Sequence, residues 1–254
     1  MRVLNRAFDH PMELEERAAD PLAGGLMRGY QCGMPWGATL AAGAQAYRLF
    51  GAGPQTEARA MVAAQRLVTT FLAQNKHVNC REITGIDVTA PKARTILGFL
   101  ARSAIKGSCL GMAARYALAA FAEINSALSE KPGEPPSAPV SCSAMLAQKM
   151  GVSDLHAIMA AGLAGGIGFY GSACGALGTS IWIRGINILK EGGVVTYPAP
   201  YIREIIERFL KCTGNKFECS AIVGRKFENV SDHARYVRQG GCSDILEALD
   251  AKTV

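Results

Sequence analysis

Eight cysteines are the residues of this 254-residue chain whose chemistry most needs an explanation. Six stand at matched positions in the two halves of the sequence: Cys32 with Cys174, Cys80 with Cys219, and Cys109 with Cys242, whereas Cys142 and Cys212 have no counterpart. Packing alone does not require a thiol, because alanine, serine or valine fills a similar volume. Retention of three matched pairs of cysteines therefore indicates thiol chemistry. The alternative is a helical scaffold or partner-binding protein whose buried cysteines are inert.

The spacing of the cysteines narrows the kind of thiol chemistry. The chain has no C-x-x-C, which argues against a thioredoxin-type dithiol or a zinc ribbon, and no C-x-x-C-H for covalent haem. Sulfur-rich, histidine-poor sites favour iron–sulfur clusters or soft metals. We predict seven metal ligands: Cys142, Cys174, Cys219 and Cys242 from the second half, and Cys32, Cys80 and Cys109 from the first.

The first half lacks a fourth thiol of its own. Cys212, His77 or a second subunit of a homodimer could complete it, or the site could be degenerate. The expected cofactor is a [4Fe–4S] or [2Fe–2S] cluster that exchanges electrons with a redox partner protein.

Glycine-rich segments precede two of the cysteines. Cys32 and Cys174 each follow such a segment and open a predicted helix, whose N-terminal amides favour the thiolate. Such a low-pKa thiol would also suit a second reading, thiol–disulfide chemistry without metal. We predict that four neighbouring glycines let a cluster approach the backbone: Gly33, Gly37, Gly175 and Gly178. They could equally be glycines that allow close helix packing.

The cysteine order of the second half resembles that of a known family. Cys142, the segment 173–178 (Ala-Cys-Gly-Ala-Leu-Gly), Cys219 and Cys242 follow the pattern of the C_GCAxxG_C_C family of redox-active proteins. In the first half, one more residue separates Cys32 from Gly37 and the leading cysteine is missing, so this copy is predicted to be degenerate. The resemblance implies a redox role through a cluster, as in the related domain of split-Soret cytochromes.

The elements that must position these cysteines come in two copies. Identical short segments occur in the same order in both halves: Leu22-Ala23-Gly24-Gly25 with Leu163-Ala164-Gly165-Gly166, Phe71-Leu72 with Phe209-Leu210, and Asn75-Lys76 with Asn215-Lys216. Four prolines between 131 and 139 indicate an extended connector. We predict a first repeat at 1–128, a proline-rich linker at 129–140 and a second repeat at 141–254.

Alanine-rich stretches with a period near 3.6 residues predict an all-α fold. The predicted helices are 34–50, 55–74, 91–127, 142–150, 153–162, 175–191 and 201–212, and 194–197 is the best short strand candidate. Two similar helical halves are expected to form a bundle with a pseudo-two-fold arrangement.

Composition excludes several other classes. A net charge of +6 without a dense basic stripe argues against nucleic-acid binding. Residues 1–20 lack the apolar segment of a secretory signal, so we expect a reducing cytoplasm and no structural disulfides. The uncharged stretch from Ala157 to Ile183 is long enough to span a bilayer, but seven glycines interrupt it, and we predict no membrane span. The G-x-G-x-x-G at 166–171 has no predicted strand before it, which argues against a dinucleotide site.

Overall fold

A computed structural model describes residues 1–86, 109–131, 136–196 and 199–251. Within these ranges it contains thirteen α-helices: α1 (Arg2–Ala7), α2 (Glu13–Ala18), α3 (Gly33–Phe50), α4 (Pro54–Asn75), α5 (Cys80–Thr84), α6 (Cys109–Ser129), α7 (Cys142–Lys149), α8 (Asp154–Ala161), α9 (Gly175–Lys190), α10 (Pro200–Cys212), α11 (Cys219–Val223), α12 (Val230–Arg238) and α13 (Ser243–Asp250). A 3₁₀ turn at Asp20–Leu22 and a π-helical turn at Gly25–Gly29 lie between α2 and α3. The described residues form no β-strand, and the predicted all-α class is confirmed.

The long helices match the sequence prediction closely. Six of the seven predicted helices occur within one or two residues of the expected bounds, as α3, α4, α7, α8, α9 and α10. Of the predicted helix 91–127, the part from 109 onwards is α6, and 91–108 lie outside the described residues. Residues 194–196 of the strand candidate form no strand. Four helices of five or six residues, α1, α2, α5 and α11, were not predicted, because each is too short to show a clear period. Helices α12 and α13, of nine and eight residues, were also missed.

The two halves share one hydrophobic core. Its largest fully buried side chains come from both, among them Trp36 of α3, Phe71 of α4, Trp182 of α9 and Phe209 of α10. The helices begin and end where local chemistry dictates. Proline opens both α4 and α10, and Gly51, with φ of 72°, ends α3.

Contacts between the halves are reciprocal. Helix α2 of the first half packs against α9 of the second, and α3 of the first half packs against α8 of the second. Glu15 Oε1 lies 3.0 Å from Nε2 of His156, its counterpart at an offset of 141 residues. Helices α8 and α9 are the second-half counterparts of α2 and α3, so each helix contacts the counterpart of the other. A two-fold axis produces such reciprocal contacts. It supports the predicted pseudo-two-fold, while the duplication and the repeat boundaries stay predictions.

The uncharged stretch Ala157–Ile183 is broken in the structure. Helix α8 ends at Ala161, residues 162–169 form consecutive turns, and α9 begins at Gly175. All five residues 165–169 have positive φ, including the non-glycine residues Ile167 (61°) and Phe169 (64°), so this is a tightly turned loop rather than a strand-to-helix junction. In the described part of the chain, no helix has both the length and the apolar character that a membrane crossing requires.

Candidate thiol sites

Four cysteines of the second half converge from four separate elements. Cys142 and Cys219 are the first residues of α7 and α11, and Cys174 and Cys242 directly precede α9 and α13. We call them the four-thiol set. Every pair within it is close enough for one thiol to perturb the ionisation of the other. The structure therefore brings these four predicted ligands together.

The backbone fixes two of these cysteines against each other. The Cys174 amide donates to the Phe217 carbonyl (3.2 Å), and the Cys219 amide donates to the Ser172 carbonyl (2.7 Å). A single antiparallel bridge joins Ala173 to Glu218 between them. Two cysteines distant in sequence are thus held side by side.

Helix α7 is fixed just before Cys142. The Ser141 hydroxyl caps this helix by accepting from the Ala144 amide (3.2 Å), and it donates to the Ala161 carbonyl (2.9 Å). Both bonds are buried, so the start of α7 is tied to the end of α8.

Three cysteines of the first half form a matching three-thiol set. Cys32 and Cys80 each interact with Cys109, and Cys32 interacts with Cys80. The Cys32 amide donates to the Val78 carbonyl, and the Cys80 amide donates to the Tyr30 carbonyl, both at 2.7 Å. An antiparallel bridge between Gln31 and Asn79 repeats the one in the second half.

The short helices at the two sets also correspond. Helix α5 begins at Cys80 and ends at Gly85 in the left-handed region, and α11 begins at Cys219 and ends likewise at Gly224. The repeated local structure is what a duplication predicts. The two sets meet through Tyr30 and Phe217, whose rings stack at 3.9 Å.

Burial raises the pKa of the thiols, which corrects one expectation. The pKa of Cys32 is raised to about 12, chiefly by desolvation, and burial raises the pKa of Cys174 further still. Amides at the helix N-termini do lower both values, as predicted, but desolvation outweighs them. Burial likewise raises the pKa of Cys242 to about 12. Without a metal, these sites hold neutral thiols.

Several hydrogen-bond donors face the sulfurs. Amides of Ala176 and Leu177 donate to Cys174, and the Gly165 amide of the turn-rich loop donates to Cys142. The Tyr236 hydroxyl donates to Cys242, and burial raises the pKa of Tyr236 to about 12.

None of the side-chain hydroxyl groups beside the cysteines was predicted from the sequence. The Ser143 hydroxyl lies 3.9 Å from Cys142 Sγ, and the Thr84 hydroxyl bonds to Cys80. The four-residue spacing of Thr84 from Cys80, one helical turn, was the available signal. No local signal pointed to Tyr236, which reaches Cys242 only through the fold.

The four predicted cofactor glycines lie at packing contacts. A Cβ at Gly175 would stand 1.8 Å from the Leu163 carbonyl oxygen, and one at Gly178 would stand 2.0 Å from the Trp36 ring. Cβ atoms at Gly33 and Gly37 would stand 3.0 and 2.9 Å from the backbone of Ala23 and Met1. Packing thus accounts for these glycines, and a role in holding a cofactor stays a prediction.

The donor set of the thiol sites can be compared with what a metal cofactor requires. Among the described residues, no three His, Cys, Asp or Glu side chains are arranged to hold a single ion. Cluster ligands bind different iron atoms and so surround a larger group. Soft sulfur donors in a buried setting, facing N–H and O–H groups, match the chemistry of such a cluster. All eight cysteines have free thiols.

Two residues of the chain are candidates for the missing ligand of the three-thiol set, and neither has a described contact with one of its thiols. Cys212 is exposed and lines a cavity with Cys242 and Tyr236, beside the other set. His77 is exposed, with Nδ1 3.8 Å from Glu82 Oε1, and no contact in the described part of the chain joins it to a thiol.

Comparison with known proteins agrees with the cysteine pattern. Residues 1–120 match the model of the C_GCAxxG_C_C family, described as "Putative redox-active protein (C_GCAxxG_C_C)". Over this segment the chain is similar to the family that the motif suggested. The match falls on the half whose motif we expected to be degenerate, and membership of the second half stays a prediction. No curated protein and no solved structure matches the chain.

Proposed function

We propose that the protein is an electron-transfer protein whose four-thiol set holds an iron–sulfur cluster. The observation that carries this proposal is the mutual proximity of Cys142, Cys174, Cys219 and Cys242, which come from four separate elements. The match of residues 1–120 to a redox family supports the same reading at a coarser level.

The chain itself would supply binding, shielding and tuning. A bound cluster would supply one-electron chemistry. The raised thiol pKa values mean that loading must release protons, because only thiolates bind iron. The amides of Ala176 and Leu177 and the Tyr236 hydroxyl would stabilise the sulfur charge once it forms. Burial of Cys142 and Cys174 would exclude water from most of the site.

The three-thiol set is proposed as a second, incomplete site. Its fourth ligand would come from a second subunit or from outside the protein, since Cys212 lies beside the other set and His77 faces Glu82. A redox partner in a reducing cytoplasm would exchange electrons with the loaded protein.

Metal-free thiol–disulfide chemistry is the second candidate. The proximity of the thiols within each set favours it, because neighbouring thiols can pair. The raised pKa values disfavour it, since a thiol with a pKa near 12 supplies little thiolate at neutral pH. An inert helical scaffold is the third candidate, and it requires neither metal nor thiol reactivity.

Anaerobic purification followed by iron and acid-labile sulfide analysis tests the proposal. We expect a brown protein with iron and sulfide in a fixed ratio. Cys142→Ser should remove most of the iron bound by the second half, whereas Cys212→Ser, the matched control at the unpaired exposed cysteine, should retain it. A colourless, iron-free protein after anaerobic reconstitution would refute the cluster.

Mass spectrometry separates the remaining candidates. Loss of about 2 Da for each pair of thiols on mild oxidation would support disulfide chemistry in metal-free protein. If the iron-free protein shows no such loss, and replacing the six matched cysteines by alanine leaves it folded, the scaffold reading stands.

A further inference from the structure

A cavity of about 450 Å³ whose described wall contains no cysteine lies between the first turn of α4, residues 138–141, α7 and α8. Its described wall contains two acidic side chains, Glu57 and Asp154, and no basic one. The apolar part of the wall includes Met145, Ala157 and Ile158. An acidic cavity in a chain with a net charge of +6 favours a cationic occupant.

Glu57 is the polar focus of this cavity. Its side chain belongs to a residue only 8% exposed, and Oε2 accepts from the Ser141 amide at 3.2 Å. Among the described residues, Oε1 has no hydrogen-bond partner and no basic side chain forms an ion pair with the carboxyl group. A buried carboxyl group that is only half satisfied is costly unless something compensates it.

The described wall around Glu57 supplies no counter-charge. Burial raises the pKa of Glu57 to about 7, although its position near the start of α4 would by itself favour the carboxylate. Asp154, the first residue of α8, is exposed and also lines the cavity. A buried carboxyl group beside an apolar wall suits a ligand with a charged head and an aliphatic body.

We propose that this cavity binds a small aliphatic ammonium ion, with the ammonium group at Glu57 and the alkyl chain against Met145, Ala157 and Ile158. The ammonium group donates to the unpartnered oxygen of Glu57. The site is independent of iron binding, so failure of the cluster proposal leaves it intact. Because Ser141 joins Glu57 to Cys142, an occupant would lie one residue from the four-thiol set.

Isothermal titration calorimetry of the full-length protein with butylammonium chloride at pH 7.5 tests the site. 1-Butanol and sodium butyrate are the uncharged and anionic comparison ligands. We expect saturable binding of butylammonium and at least about tenfold weaker binding of the other two. Absence of butylammonium binding, or equal binding of butanol, would overturn the proposal.

Variants then locate the binding. Glu57→Gln keeps an acceptor for the Ser141 amide but removes the charge, and it should weaken butylammonium at least about tenfold. Glu204→Gln, at an exposed acid of α10, is the matched control and should leave the affinity unchanged.

Two changes at exposed wall residues guard against misfolding of the Glu57 variant. Asp154→Asn should weaken binding a few-fold, and Gln148→Trp should obstruct the cavity and weaken it further. Both variants should keep the wild-type circular dichroism spectrum. Affinity unchanged in Glu57→Gln, or in both of these folded variants, would refute the assignment.

Discussion

Gly178→Ala gives the sharpest test of how the two halves fit together. Gly178 of α9 faces Trp36 of α3, and an added Cβ would stand 2.0 Å from Cζ3 and 2.4 Å from Cη2 of that ring. Carbon atoms in ordinary contact lie about 3.5–4.0 Å apart, so the ring would have to retreat by roughly 1.5 Å. Trp36 is fully buried, and its Nε1 donates to the Gln31 carbonyl at 3.3 Å, so little space exists for that movement.

The expected cost follows from two opposing effects. Overpacking a closely packed core typically costs about 1–3 kcal/mol of unfolding free energy. Because Trp36 has little space to move, we assign this clash the upper value, about 3 kcal/mol. Alanine is favoured over glycine inside a helix by about 1 kcal/mol. The net loss of unfolding free energy is therefore about 2 kcal/mol. For a chain of this length, that lowers the melting temperature by roughly 4–8 °C.

Urea and thermal unfolding followed by circular dichroism measure this loss. Gly185→Ala in the same helix is the matched control: its Cβ would stand 3.1 Å from the Ala18 carbonyl oxygen, a tight contact whose small cost should offset the helix-propensity gain of about 1 kcal/mol, so we expect almost no net change. Trp36→Phe should relieve the clash, so the double variant should lose less stability than the two single losses added together. A loss below about 0.5 kcal/mol for Gly178→Ala would contradict the packing account. Reduced iron content at full stability would instead support the cofactor role that the sequence suggested.

Three further predictions concern the surroundings of the sites. Because the pKa of Glu57 rises from 4.5 to about 7 on folding, the folded protein holds a proton that the unfolded chain loses, and stability should fall as pH rises between these values. Urea unfolding from pH 4.5 to 8 should show a decrease of up to about 3 kcal/mol that Glu57→Gln removes, and a flat profile in the wild type would contradict the burial effect. Ser141→Ala removes both hydrogen bonds of a buried helix cap and should cost about 2 kcal/mol in the same assay, with a loss near zero as the contrary result. Tyr236→Phe removes the donor to Cys242 and should lower the reduction potential of the iron-loaded protein, measured by spectroelectrochemistry, because hydrogen bonds to sulfur favour the reduced state. Tyr201→Phe, which removes a buried hydroxyl without a partner in the described residues, should leave that potential unchanged.

Much of the secondary structure could be predicted because its signals depend only on residues that are close together in the sequence. The alanine-rich period of α3 and α4 and the prolines that open α4 and α10 are contained in short windows of sequence. Helices of five or six residues, such as α5 and α11, lack that signal. They form because each begins at a cysteine whose amide bonds to a carbonyl far away in the chain.

The candidate sites could be predicted only as a set of residues. Matching the two halves picked out six of the seven cysteines in the two thiol sets, all but Cys142, and the fold brings each set together. Sequence could not show which residues surround the sulfurs. Tyr236, Ser143 and Thr84 reach them through tertiary contacts or through a single helical turn.

The sequence by itself determined the helical class and the matched cysteines, and it carries the similarity of residues 1–120 to a redox family. Only the tertiary structure decided how those residues behave. Cys174 stands at a helix N-terminus, which favours a thiolate, yet its burial raises the thiol pKa. Gly178 looked like part of a cofactor loop, yet Trp36 fills the space beside it. Desolvation and close packing depend on which distant segments meet, and no local pattern records that.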